Sequence, residues 1–205
     1  MKKGMCITYE VESGLYINIT NKCSNRCSFC IRNNGDGAYG SDSLWLSREP
    51  SQEQIVESVL SREISKYSEI VFCGYGEPTY RLDVMLAVAA EIKRHCNIPI
   101  RVNTNGHSDL IFGRSTTESF SSVIDSVSIS LNAPTMEKYN EICHPVYKNE
   151  AFDAVISFAK NVKNYVQNVY FSVVRDFISE DEIEKCKEIA KSLGIPLKIR
   201  DYISK

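Results

Sequence analysis

The amino-acid sequence predicts an α/β fold, a partial (β/α)6 TIM-like barrel of parallel strands in a single domain, on three observations. Six short apolar runs alternate with helical stretches along the chain. The strand segments carry apolar side chains on one face and polar ones on the other. A length of 205 residues with 43% hydrophobic content suits one sizeable core rather than two small ones.

The first strand is expected at 15–20, "LYINIT". A capping box from Ser51 to Gln54 opens a helix over 51–67, because the serine hydroxyl and the glutamine side chain satisfy each other's orphan backbone donors. Strands follow at 69–74 "EIVFCG", 99–105 "PIRVNTN", 126–132 "SVSISLN" and 168–174 "NVYFSVV". A second capping box, Ser179 to Glu182, opens a helix over 179–193 that stops at Gly194 before Pro196, and 196–201 "PLKIRD" is the last strand. Strands separated by helices need crossover connections, so the sheet is parallel and the helices pack on its outer face. Val127, Ile129 and Leu131 point one way and Ser128, Ser130 and Asn132 the other; Asn18 and Thr20, Asn103 and Asn105, and Ser172 repeat the polar side. An antiparallel sheet with one face in water gives the same alternation. The intervening helices favour a curved sheet whose polar faces converge on a concavity, where hydroxyls and amides serve as ligand contacts.

Charge and hydropathy exclude several classes. The 24 basic and 26 acidic residues leave a net charge of -2, so no global field draws nucleic acid or an anionic membrane. "MKKGMCITYE" lacks the apolar run of a signal peptide, and no 18-residue apolar stretch spans a bilayer. A soluble, cytoplasmic protein with no membrane partner is expected. In that reducing compartment eight cysteines are ligands or buried thiols rather than disulfides. Cys6, Cys73, Cys96, Cys143 and Cys186 stand singly and are expected as small core hydrophobes.

Cys23, Cys27 and Cys30 are different, since "CSNRCSFC" gathers them directly after the first strand, at the strand end where barrel chemistry sits. A structural zinc site would be closed by four ligands, and no second C-x2-C pair or nearby His supplies the fourth. Three thiolates suit a 4Fe-4S cluster with one iron left free for an exogenous ligand.

C-x3-C-x-F-C after a first strand resembles the signature of radical S-adenosylmethionine (SAM) enzymes. The resemblance implies that residues 1–205 form a radical SAM core domain in which Cys23, Cys27 and Cys30 hold the 4Fe-4S cluster. It further implies that the open iron chelates SAM, that an electron from the cluster cleaves the sulfonium to a 5'-deoxyadenosyl radical, and that Phe29 lies beside the adenine. "CGYGEPT" at 73–79 resembles the family's G-G-E-P turn, with Tyr75 interrupting the paired glycines; Gly74, Gly76 and Glu77 then receive the SAM amino group. Asn103 and Asn105 of "NTNG", and Ser128, Ser130 and Asn132 of "SISLN", fall where the family contacts the SAM carboxylate and ribose. Arg175, just past the fifth expected strand, is a further candidate for that carboxylate. Across 15–145 the phrases "CIRNNGDG", "SLWLSREP", "VFCGYGEPT", "VNTNG" and "SISLNAP" resemble the TatD-family nuclease-associated radical SAM proteins. That likeness supplies cofactor and fold and points toward a TatD-family nuclease as partner and a nucleic-acid-related role, while the substrate stays open among a nucleotide, a nucleic acid and a peptide; the radical SAM resemblance implies a reductant such as flavodoxin or ferredoxin. Two further functions stay open beside a radical enzyme with its own substrate: an activase that installs a glycyl radical on a partner protein, and a non-enzymatic iron-sulfur sensor or scaffold. Finally, residues 31–50 form a twenty-residue connection, a length that in compact domains marks function or disorder. Its glycine-rich half, 33–40, is expected near the cluster and "SLWL" around Trp45 is expected to anchor it, so that the loop covers the cofactor or faces a partner.

Overall fold

Period-two apolar runs need a partner on each side. The computed structural model, which describes residues 4–203, joins them into one seven-stranded sheet ordered by sequence: β1 (Thr8–Val11), β2 (Gly14–Ile17), β3 (Glu69–Phe72), β4 (Ile100–Thr104), β5 (Ser126–Ser130), β6 (Asn168–Val174) and β7 (Leu197–Arg200). From β2 to β7 every pair is parallel, as the crossover connections require. The crossovers carry α1 (Gln52–Leu60), α2 (Leu82–His95), the short α3 (Ser108–Phe112), α4 (Met136–Cys143), α5 (Asn149–Val162) and α6 (Glu180–Leu193). Six expected strands are present. The seventh, β1, pairs antiparallel with β2 through a two-residue turn at Glu12 and Ser13, with Val11 opposite Gly14. Glu12 takes φ 51°, a turn conformation usually given to Gly or Asn, so the hairpin carries no Asn-Gly signature.

Both capping boxes form, Ser51 with Gln54 and Ser179 with Glu182, and Gly194 closes α6 in the left-handed region. The first helix is shorter than its expected span of 51–67. It ends at Leu60, where the Ser61 hydroxyl turns back to the Ser58 carbonyl, and a separate 3-10 turn spans Ile64–Lys66.

The apolar face of the sheet, with Ile17, Phe72, Val102, Ile129 and Phe171, packs against Ile55 of α1, Met85 and Val88 of α2, Val155 and Phe158 of α5, and Ile183 of α6. Each of these side chains is fully buried and contributes about 1.5–3 kcal/mol of transfer free energy. The opposite face is left polar and turned to the concavity. No helix among the described residues is long and apolar enough to cross a membrane.

Candidate functional site

Where β2 ends, Asn18 stops pairing with the sheet and becomes a hub. Its Nδ2 donates to the carbonyls of Cys6 (3.2 Å) and Leu44 (2.8 Å), and its Oδ1 accepts from the Tyr75 amide (3.3 Å). The cysteine loop that follows is clamped along α4, because the amides of Arg26 and Ser28 donate to the carbonyls of Cys143 and Ile142, each at 2.9 Å. Asn105 Nδ2 donates to Ser24 Oγ (2.8 Å), the Ser24 hydroxyl bonds His107 Nδ1 (2.9 Å), and His107 Nε2 bonds the Tyr139 hydroxyl (3.2 Å), which also accepts from Asn25 Nδ2 (2.9 Å). This buried chain of polar groups fixes residues 23–25 from the side of β4 and α4.

Cys23, Cys27 and Cys30 all line one cavity of about 310 Å³ at the C-terminal ends of the strands. Among the described residues no three His, Cys, Asp or Glu side chains gather closely enough for a single metal ion. Cluster thiolates sit on separate irons, so the donor set fits an iron-sulfur cluster, whose soft centre selects thiolate. Burial raises the Cys23 thiol to about 12, with the Glu77 charge adding to it. Cys27 is raised first by its hydrogen bond with Cys143 and then by burial, and Cys30 by burial. Arg32 opposes all three shifts. Its guanidinium donates to the carbonyls of Asn25 (3.1 Å) and Tyr75 (3.4 Å), a cation set between the cysteine loop and the "GYGEP" turn.

That turn owes its glycines to close approach. A Cβ on Gly74 would overlap Asn18 Oδ1, and one on Gly76 would overlap the carbonyl oxygens of Thr20 and Lys22. Glu77 is buried and accepts from the Thr79 amide (3.1 Å), the hydroxyls of Thr79 and Thr104 (2.8 Å each) and the Asn105 amide (2.7 Å). Burial raises its pKa while these donors pull it back. The carboxylate thus joins the ends of β3 and β4 at the cavity wall.

Of the sequence-derived candidates, Phe29, Gly74, Gly76, Glu77, Asn103, Asn105, Ser130 and Asn132 line the same cavity as the three cysteines. Ser128, buried deeper in β5, and Arg175 do not. Arg175 is 52% exposed and faces Asp201 at 3.9 Å; the arginine on the cavity wall is Arg200, from β7. Cys73 is not the buried core thiol expected of it, since it is half-buried and lines the cavity. Cys6 and Cys96 are also only half-buried, whereas Cys143 and Cys186 are buried as expected. Arg32, His107, Tyr139, Tyr9, Tyr16 and Arg200 escaped sequence reasoning. The "NTNGH" run gave a signal for His107; nothing local marked the others.

The 31–50 loop lies on this rim. Ala38, Tyr39 and Leu44 line the cavity, Tyr75 donates its hydroxyl to the Gly35 carbonyl (3.0 Å), and the Trp45 ring meets Tyr75 edge-on at 5.2 Å. Leu44 and Leu46 are buried, and Leu46 forms a β-bridge with Gly4. Residues 201–203 cross from β7 to the same loop: Tyr202 donates its hydroxyl to Asn34 Oδ1 (2.9 Å), and its ring meets Phe177 edge-on (5.2 Å), which in turn lies tilted against Phe29 (5.1 Å).

Comparison with known proteins places this geometry. Over 101 residues the chain is 30% identical to a probable RNA methyltransferase of Dechloromonas aromatica (strain RCB), a match covering 49% of this chain and 24% of that protein. The chain therefore spans about a quarter of that curated relative. Among solved structures, Streptococcus suis SuiB bound to its precursor peptide SuiA superposes with a TM-score of 0.66 at 18% identity, covering 93% of this chain and 39% of SuiB. A radical SAM methyltransferase from Sphaerobacter thermophilus gives 0.60 at 15% identity, covering 95% and 68%. At such identities the structures attest the fold. The family profile goes further: it matches residues 17–190, from the end of β2 into α6 and so across the cysteine loop, the "GYGEP" turn and the polar strand ends, and the chain belongs to the Radical SAM superfamily.

Proposed function

We propose that this chain is a radical SAM enzyme that holds a 4Fe-4S cluster on the thiolates of Cys23, Cys27 and Cys30 and binds SAM against Glu77, Asn105, Ser130 and Asn132. The supporting observation is a pair of buried amide oxygens, Asn25 Oδ1 and Asn132 Oδ1. Both belong to residues lining the cysteine cavity and both lack a hydrogen-bond partner among the described residues. An acceptor buried without a donor costs about 1–3 kcal/mol. SAM brings an ammonium and ribose hydroxyls, which are the donors such oxygens lack.

When bound, the cluster and SAM supply a 5'-deoxyadenosyl radical by one-electron reduction of the sulfonium. The chain's own residues bind and orient. Arg32 places a positive charge beside the thiolates, the polar chain from Asn105 to Tyr139 holds the cysteine loop, and Phe29 offers an aromatic face. The 31–50 loop, anchored by Leu44, Trp45 and Leu46, covers the mouth and keeps water from the reacting centre. A flavodoxin or ferredoxin is the proposed reductant. The Dechloromonas relative supports a nucleotide or nucleic-acid substrate, the direction in which the TatD-family resemblance also leads, with a TatD-family nuclease as a partner.

The test is anaerobic reconstitution with iron and sulfide, then incubation with SAM and dithionite and quantification of 5'-deoxyadenosine. The wild-type protein should turn brown and release 5'-deoxyadenosine, and Cys23→Ala, Cys27→Ala and Cys30→Ala should each lose both. A full cluster that never cleaves SAM would identify a sensor or scaffold instead.

A further inference from the structure

We propose that the part of the cavity wall carrying Tyr16, Tyr39 and Arg200 is a seat for a nucleotide, free or within a strand, with its base against Tyr16 and Tyr39 and its phosphate on Arg200. This rests on the cofactor reading above, which takes up the cysteine loop, the "GYGEP" turn, Asn105 and the end of β5. The remaining wall carries aromatic rings and the Arg200 guanidinium, with the exposed Asp201 carboxylate also on the lining. Tyr9, buried and donating its hydroxyl to the Cys73 carbonyl (3.3 Å), backs the half-buried Tyr16 with ring centroids 5.4 Å apart, and the covering loop adds Tyr39. Tyr39 is 50% exposed and sits at φ 54°, a backbone region that residues with a side chain seldom adopt. The rings of Tyr16 and Tyr39 offer flat faces on which any base stacks.

Arg200 supplies the charge. Its guanidinium donates to the neutral Ser172 hydroxyl (3.0 Å), and no carboxylate among the described residues lies within ion-pair distance of it. Asp201 faces Arg175 instead. Arg200 and Tyr39 line the same cavity. A guanidinium without an anion, beside aromatic faces, matches a phosphate on a planar ring. Asn103 completes the wall. Arg101, locked by Glu69 (2.6 and 2.9 Å) and by the Tyr16 hydroxyl (3.3 Å), donates to Asn103 Oδ1 (2.5 Å). That contact engages the amide oxygen and leaves the amide N–H groups as donors for an acceptor on a base edge.

The test uses the reconstituted protein with SAM bound and measures equilibrium dialysis of AMP, GMP, CMP and UMP, the matching nucleosides, inorganic phosphate and a short single-stranded RNA. At least one nucleotide should bind saturably and about tenfold tighter than its nucleoside. Arg200→Gln should erase that margin with cluster absorbance unchanged, and Tyr39→Ala or Tyr16→Leu should weaken nucleotide and nucleoside alike by roughly fivefold or more. RNA binding tighter than every mononucleotide makes a strand the source; the reverse order makes it a free nucleotide. The proposal is overturned if SAM binds but neither nucleotide nor RNA does, if inorganic phosphate binds as well as the nucleotides, or if Arg200→Gln leaves the margin intact. Failure of SAM to bind in the same sample would instead remove the cofactor reading on which the seat depends.

Discussion

Glu77 accepts four donors in a space that water does not reach, so its substitution acts on fold and ligand together. In Glu77→Gln one acceptor becomes an NH2 group facing either the Asn105 amide or the two threonine hydroxyls. The expected loss is about 1–3 kcal/mol of stability, read as a lower Tm, together with weaker SAM binding. A variant with wild-type Tm and SAM affinity would remove Glu77 from both roles. The two glycines of the turn differ in what opposes them. At Gly74 an added methyl meets the Asn18 side chain, which can shift at the cost of its three hydrogen bonds; at Gly76 it meets backbone. Gly76→Ala should therefore be the more destabilising of the pair in denaturant unfolding. Cys23, Cys27 and Cys30 were legible because their spacing is local. Arg200 and Tyr9 were not, because the cavity collects them from opposite ends of the chain and neither lies in a motif.

Capped and periodic elements were the easiest to read. Both capping boxes are sequence patterns whose partners lie three residues apart, and the helices start where those patterns place them. β1 was missed because its turn, Glu12-Ser13, uses neither Gly nor Asn and its strand is only four residues long. The long loop was legible in position but not in its contacts, which run to Asn18, Tyr75 and Ile203. Tyr75→Phe deletes the hydroxyl that holds the Gly35 carbonyl, with Trp45 still packed on the ring. We expect limited proteolysis between residues 33 and 40 to quicken severalfold in that variant while the Tm falls by no more than a few degrees, about 1 kcal/mol for one hydrogen bond. An unchanged cleavage rate would show that the apolar anchor alone holds the loop.

At the scale of the molecule, the polar chain from Asn105 through Ser24, His107 and Tyr139 to Asn25 ties the cysteine loop to the barrel; His107 and Ser24 lie 83 residues apart in sequence, beyond the reach of any local pattern. Burial lowers the His107 pKa from 6.5 to about 4. The folded protein keeps this ring neutral while the unfolded chain protonates it, so stability present above pH 6.5 is lost as pH falls toward 4, in total about 3 kcal/mol. His107→Gln should flatten that part of the stability curve, and a curve of unchanged slope would exclude His107 as its source. We propose above that the three cysteines hold a cluster with one iron open to SAM. The most direct test of that proposal is Mössbauer spectroscopy of the protein reconstituted with 57Fe, before and after SAM is added. The expected result is a 4Fe-4S spectrum in which SAM shifts a single iron subsite and leaves the others in place. A spectrum unmoved by saturating SAM, or iron that binds equally well when Cys23, Cys27 and Cys30 are all alanine, would contradict it.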